Sequence, residues 1–236
     1  QYTVQDKIAT ITLNDGGKNL ISPKMIHEIN AALNKAKSEA SVVILTGYDD
    51  IFSAGFDLKI LKTGAINTYK MLMGGFQLAL RMLSFQLPII IACNGHAIAM
   101  GVFLLLSGDY RIGVHENYKI VANEVAIGLT LPYSAIEICR QRLNPAHFVR
   151  ATLLSEIYNP TTAVDAGFID KVVEKDQLLV EANNLAQQYL KLDAKAHYNS
   201  KLRVREQMRD QLKNAIFRDK IDFVLLGLKR MLGIKS

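Results

Sequence analysis

Polar and apolar positions alternate from Lys7 to Leu13, with Ile8, Thr10 and Thr12 interleaved with Ala9, Ile11 and Leu13. This period of two, rich in β-branched side chains, predicts a strand. The loop NDGGKN follows, and Ser22-Pro23 then opens a helix as cap and first-turn proline. On that helix Met25, Ile26, Ile29, Ala32, Leu33 and Ala36 share one face. The short apolar run Val42 to Thr46 (VVILT) predicts a strand buried on both sides. A helix is predicted from about Ile66 to Leu83, then Pro88 and a second buried strand, Ile89 to Cys93. That strand leaves through Asn94 to Gly101 (NGHAIAMG) into the apolar run VFLLL, Val102 to Leu106. Further strand-like pieces are Tyr118 to Val121 and Ile169 to Val173, and Asn123 to Gly128 reads as a short ordered loop. Prolines 132, 145 and 160 each start a helix, the first reaching to about Arg142, and everything beyond Asp176 has helical spacing. Alternating strands and helices followed by a helical tail define an α/β chain, with residues 1–175 as core and 176–236 as tail.

Half of the 236 residues are hydrophobic and 21% are charged, so a large core is available and disorder is excluded. No apolar run is long enough to span a membrane. The stretch from Pro88 to Leu106 comes nearest and is interrupted by Asn94, Gly95 and His96. Cys93 and Cys139 have apolar surroundings without metal-site spacing, which predicts reduced core cysteines and no metal site. With no basic-then-apolar leader pattern at the start of the chain, the expectation is a cytoplasmic protein. The net charge of +6 is concentrated in the last quarter, for example at Lys201, Arg205, Arg218, Lys229, Arg230 and Lys235. A solvated helical face accounts for it. A phosphate-bearing ligand or a nucleic-acid surface is the alternative.

The segment Ile51 to Lys59 (IFSAGFDLK) carries the first candidate chemistry. Ala54 and Gly55 leave little bulk around the next peptide unit, so the N–H of Phe56 can face a cleft. Ala99-Met100-Gly101 repeats this economy where a helix opens, with helix-start N–H groups free. Two such amides converging on one carbonyl oxygen make an oxyanion hole; two glycines required only for tight packing is the competing account.

The order IFSAGFDLK, then ACNGHAIAMG (Ala92 to Gly101), then GDYRI (Gly108 to Ile112) resembles the crotonase, or enoyl-CoA hydratase/isomerase, superfamily. The resemblance runs to about Val173 and implies a ClpP/crotonase-like spiral of ββα turns with a C-terminal helical trimerisation region. It implies a homotrimer or dimer of trimers, and an acyl-CoA thioester substrate whose oxygen lies between the N–H groups of Phe56 and Met100. Coenzyme A enters as part of the substrate, and no separate cofactor is implied. By motif position, Lys18, Asn19 and Leu20 approach the CoA, as does Lys59, while Ala54, Gly55, Asp57, Leu58, His96, Gly101 and Phe103 complete the substrate-binding set.

Hydratases of the superfamily use two glutamates. One slot, two residues past the second motif's glycine, holds Phe103; the other, in the loop NEVAIGLTLP, holds Glu124. A lone glutamate resembles the monofunctional Δ3-Δ2 enoyl-CoA isomerases. Glu124 would carry a proton from C2 to C4 of a 3-enoyl-CoA, in fatty acid metabolism. Val125, Ala126 and Ile127 suggest an apolar setting that raises its pKa, and Phe103 would shape the acyl pocket and exclude water. An enoyl-CoA hydratase is the alternative, and a non-catalytic acyl-CoA or RNA-binding protein a third. No interleaved aromatics accompany the tail charges, so no nucleic-acid partner is expected. Among the other polar residues, Asp57 is read as capping a helix LKILK, His96 as a packed, hydrogen-bonded histidine that can also line the cleft, and Asp109 as part of a structural pair.

Overall fold

The computed structural model describes residues 1–231, with side chains through Leu226. After a hairpin of β1 (Tyr2–Gln5) and β2 (Ile8–Thr12) and the helix α1 (Pro23–Glu39), the chain repeats one unit three times. The first turn is β3 (Val42–Thr46), β4 (Ile51–Ser53) and α2 (Ala65–Leu83). The second is β5 (Ile89–Cys93), β6 (His96–Ile98) and α3 (Met100–Leu106). The third is β7 (Tyr110–Val114), β8 (Ile120–Val121) and α4 (Tyr133–Arg142). Then follow α5 (Pro145–Leu153), α6 (Pro160–Ala166), β9 (Lys171–Val173), α7 (Leu178–Tyr189), α8 (Ala194–Val204) and α9 (Glu206–Met231).

First strands of successive turns pair with one another, and so do second strands. The result is a six-stranded sheet in the order β1-β2-β3-β5-β7-β9 and a three-stranded sheet β4-β6-β8. Every pairing is parallel except the β1–β2 hairpin. This is the expected ββα spiral. The strand β1 escapes sequence pattern because, as an edge strand, three of its four residues are exposed.

The apolar run of β3 has a direct cause. Val43 and Leu45 face α1, α2 and α3 in one core, while Val42 and Ile44 face Leu178, Ala182 and Ala186 of α7 in another. All seven residues of α3 are buried, which explains the run VFLLL. Ser22 caps α1 by accepting the Met25 N–H at 3.2 Å. The predicted LKILK helix is shorter than expected, a single 3₁₀ turn at Ile60–Lys62. Asp57 accepts the Lys59 N–H at 3.0 Å just before it. The loop after Asn123 likewise contains a 3₁₀ turn, Val125–Ile127.

A buried ion cluster docks the helical tail. Asp109 accepts the Ile89 N–H at 2.7 Å and pairs with Lys201 at 2.6 Å and Arg205 at 2.9 Å. Lys201 also donates to the carbonyls of Phe85 and Leu87, and Arg205 to that of Leu83. A uniformly solvated basic face is therefore incorrect for these two residues. Their charges hold the tail to the core, because a buried cation needs a counter-charge and acceptors. Arg218 lies 3.7 Å over the Tyr133 ring. The side chains of Lys229, Arg230 and Lys235 lie outside the described residues. Among the described residues no helix is long and apolar enough to cross a membrane.

Candidate active site

The strands β4 and β6 are parallel neighbours, so their C-terminal exits open side by side. Gly55 has φ +87°, and a Cβ there would lie 2.8 Å from the Ile98 carbonyl oxygen and 3.2 Å from the Met100 nitrogen. Only glycine lets the first exit touch the second so closely. At the second exit Ala99 has φ 51° and ψ −122°, a conformation that costs roughly 1–3 kcal/mol in a residue with a Cβ. Its N–H is held by the Val121 carbonyl at 2.9 Å, and its own carbonyl accepts the Val102 N–H at 2.8 Å. The strained corner turns the chain directly into α3, leaving Met100 at the first helical position. Gly101 fits against Ser53, whose carbonyl oxygen a Cβ would meet at 2.4 Å. Among the described residues, neither the Phe56 nor the Met100 N–H has a hydrogen-bond acceptor.

Both exits border a cavity of about 810 Å³, with Ala54 and Phe56 from the first and Ile98 and Ala99 from the second in its wall. Glu124 lies in the same wall. It is 8% exposed, and its buried Oε2 has no partner among the described residues. Burial lifts its carboxyl to about 7, opposed by a backbone hydrogen bond. Val125 and Ile127, however, are 43% and 50% exposed. The predicted apolar setting is thus produced not by these neighbours but by tertiary packing that closes over Glu124 itself.

The other candidate residues divide. Leu58 lines the cavity. Asp57 is half-buried and Lys59 is exposed. The carbonyl of Lys18 accepts the Ala54 N–H at 3.0 Å, tying that loop to the first exit. Leu20 is half-buried beside Ile21, whose N–H donates to the Gly55 carbonyl at 2.8 Å. The Asn19 side chain is not free for a ligand. It is 1% exposed and its amide donates to the Ile51 carbonyl at 2.8 Å. Its carbonyl accepts the Ser53 hydroxyl at 2.7 Å, so the residue braces β4. His96 is absent from the cavity wall; its Nδ1 accepts the Lys119 N–H at 3.0 Å and its ring meets Tyr118 edge-on. Phe103 is 1% exposed and lies behind Phe76, ring centroids 6.0 Å apart. It backs the wall without forming it; of these two rings, Phe76 is the one in the wall.

Sequence reading missed other parts of the wall: Thr68, Leu72 and Phe76 from α2, Leu129 and Thr130 from the loop, and Phe223 and Leu226 from α9. The helical spacing of α2 marked an apolar face, but nothing in it distinguished core from cavity. For Phe223 and Leu226, far along the tail, no local signal existed.

A spiral of ββα turns with two glycine-bordered strand exits and a buried glutamate lining one cavity defines a class of protein, and similarity to known proteins agrees. The family model described as enoyl-CoA hydratase/isomerase matches residues 3–224, and the chain belongs to that family. It is 32% identical over 170 residues to the peroxisomal enoyl-CoA delta isomerase 2 of Arabidopsis thaliana, covering 68% of this chain and 71% of that protein. An apo enoyl-CoA isomerase structure from Mycobacterium tuberculosis superposes with TM-score 0.89 at 40% identity, over 94% of this chain and 97% of that one. An enoyl-CoA hydratase structure from Mycobacterium marinum does so with TM-score 0.90 at 39% identity, over 94% and 98%. The fold is the crotonase fold, and isomerase-named and hydratase-named proteins are about equally similar.

Proposed function

We propose that this family member is a Δ3-Δ2 enoyl-CoA isomerase of fatty acid metabolism. The observation that carries the reading is one buried carboxylate, Glu124, the only one among the described residues of a largely apolar cavity wall, with an oxygen that has no partner among those residues. The thioester oxygen of a 3-enoyl-CoA accepts hydrogen bonds from the Phe56 and Met100 N–H groups. Glu124 takes the C2 proton; the electron pair moves into a dienolate whose oxygen charge those donors stabilise. The resulting carboxylic acid returns the proton at C4, leaving the conjugated 2-enoyl-CoA. One group must act as base and then as acid, and a carboxyl near 7 suits both roles. Phe103, at the position where a hydratase would carry the first of its two glutamates, supplies no group to activate water. The CoA runs past the loop Lys18 to Leu20 and Lys59, and the chemistry needs no further cofactor.

Similarity to a hydratase-named structure favours water addition to a 2-enoyl-CoA as the second reading. Absorbance of the conjugated thioester separates the two. Isomerisation of a 3-enoyl-CoA raises it and hydration of a 2-enoyl-CoA lowers it, so a loss with the 2-enoyl-CoA and no gain with the 3-enoyl-CoA would sink the isomerase assignment. A homotrimer or dimer of trimers built through the tail, residues 176–236, is supported by exposed apolar residues on α9, among them Phe217, Ile221, Val224 and Leu225. The two buried, unpaired cysteines support a reducing, cytoplasmic setting, although the Arabidopsis relative is named as peroxisomal.

A further inference from the structure

Two glycines stand together in the middle of α2, Gly74 and Gly75, where each costs about 1 kcal/mol against alanine. Their surroundings differ. A Cβ on Gly74 would touch Ile26 at 3.5 and 3.6 Å, which is ordinary contact. On Gly75 it would lie 2.6 and 2.7 Å from Cε1 and Cζ of Phe56, and 3.3 Å from Sδ of Met100. The notch left by Gly75 is thus filled by the side chains of Phe56, which lines the cavity, and Met100, which follows the wall residue Ala99, and neither N–H has an acceptor among the described residues.

We propose that Gly75 is a positioning residue of the oxyanion hole: its missing side chain seats Phe56 and Met100 together so that both N–H groups address one oxygen. The proposal rests on reading those amides as the thioester donors. Met100 is fully buried, so its thioether has no route outward. The Phe56 ring is held edge-on by Phe76 at 6.1 Å, and Phe76 is itself 1% exposed and backed by Phe103. A methyl group at position 75 therefore leaves the ring two escapes. It swings into the cavity it already lines, where the thioester must lie, or it moves with its backbone and turns the Phe56 N–H away. Either one spoils the hole, although alanine improves the helix.

The test is a double-mutant cycle between Gly75→Ala and Phe56→Ala, with Gly74→Ala as the helix control. Two readouts are taken: kcat/KM on a 3-enoyl-CoA, and the red shift of a bound 2-enoyl-CoA chromophore, which reports carbonyl polarisation without turnover. Gly75→Ala is expected to lower kcat/KM by about 10² or more, as loss of one oxyanion donor does, and to abolish the red shift. In the Phe56→Ala background the same change should alter both by less than about threefold, and Gly74→Ala should leave both unchanged with an equal or higher Tm. Wild-type red shift and turnover in Gly75→Ala, or an equal loss in both backgrounds, overturns the seat while leaving the hole standing. Absence of any red shift in the wild type removes the hole, and the seat with it. A red shift without isomerisation refutes the reaction and not the seat. Should Gly75→Ala fail to fold, the double variant must fold and polarise the thioester; its failure also overturns the proposal.

Discussion

Asp219 of α9 caps α4 from outside, accepting the Ser134 N–H at 2.9 Å and the Ser134 hydroxyl at 2.5 Å, with the Tyr133 N–H at 2.8 Å as a third donor. An N-cap normally comes from the residue preceding the helix, but here that residue is Pro132, which has no side-chain acceptor. The tail helix therefore completes the core, and in doing so it carries Phe223 and Leu226 onto the cavity wall. Replacing Asp219 with Ala leaves three donors without their acceptor and should cost roughly 2–4 kcal/mol in urea unfolding. KM for a long acyl chain should rise more than KM for a short one. Equal effects on both would separate α9 from the acyl pocket.

Glu124→Gln should abolish isomerisation while stabilising the protein. With its carboxyl at about 7 in the folded chain against 4.5 in the unfolded one, the unfolded state releases the proton first as pH rises. Folding stability is thus lost progressively between about pH 4.5 and 7, by up to ~3 kcal/mol. The Gln variant carries no such charge. Its Tm advantage over the wild type should be near zero at pH 4.5 and largest above pH 7. A constant difference across that range would mean that Glu124 is not buried as described.

The same group sets the rate profile. A base must be ionised in the free enzyme, so kcat/KM should rise about tenfold per pH unit below 7 and level off above it. Rates measured from pH 5 to 9 check this. A plateau already reached at pH 5 would point to a different base.

Gly55→Ala should be far more damaging than a surface change. It forces a left-handed φ on a residue with a Cβ and pushes that Cβ into the Ile98 carbonyl and the Met100 nitrogen. The expectation is a fall in kcat of about 10² or more, from displacing the Phe56 donor. Near-normal turnover would show that the first exit takes no part.

Asp109→Asn should unlatch the tail. It removes the counter-charge of buried Lys201, and breaking one partner of such a pair typically costs about 3–5 kcal/mol. Denaturant unfolding measures it, and Asp109→Asn combined with Lys201→Met should recover part of the loss.

Much of the molecule was legible along the chain. The α/β alternation, the buried strands VVILT and IIIAC, and the proline-started helices all follow from local periodicity and caps. The two strand exits were visible because a positive φ or a close backbone approach demands glycine at a fixed place. His96 is the packed, hydrogen-bonded histidine that the sequence suggested. Asn19 shows the complementary case: a polar residue near a motif looks the same whether its side chain faces a ligand or, as here, is buried and braces β4.

What the chain determined by itself is therefore what depends on neighbours a few residues apart: strands, helix starts, glycine turns and the presence of one glutamate in the loop after Asn123. Tertiary structure alone decided that Glu124 would be buried while Val125 and Ile127 stayed exposed, that Phe103 would stand behind Phe76, and that α9 would close the cavity. It also decided that Gly75, far from Phe56 in no obvious sequence relation, would receive its ring. Burial and cavity walls are made by elements brought together from distant parts of the chain, and no local pattern records which partner will arrive.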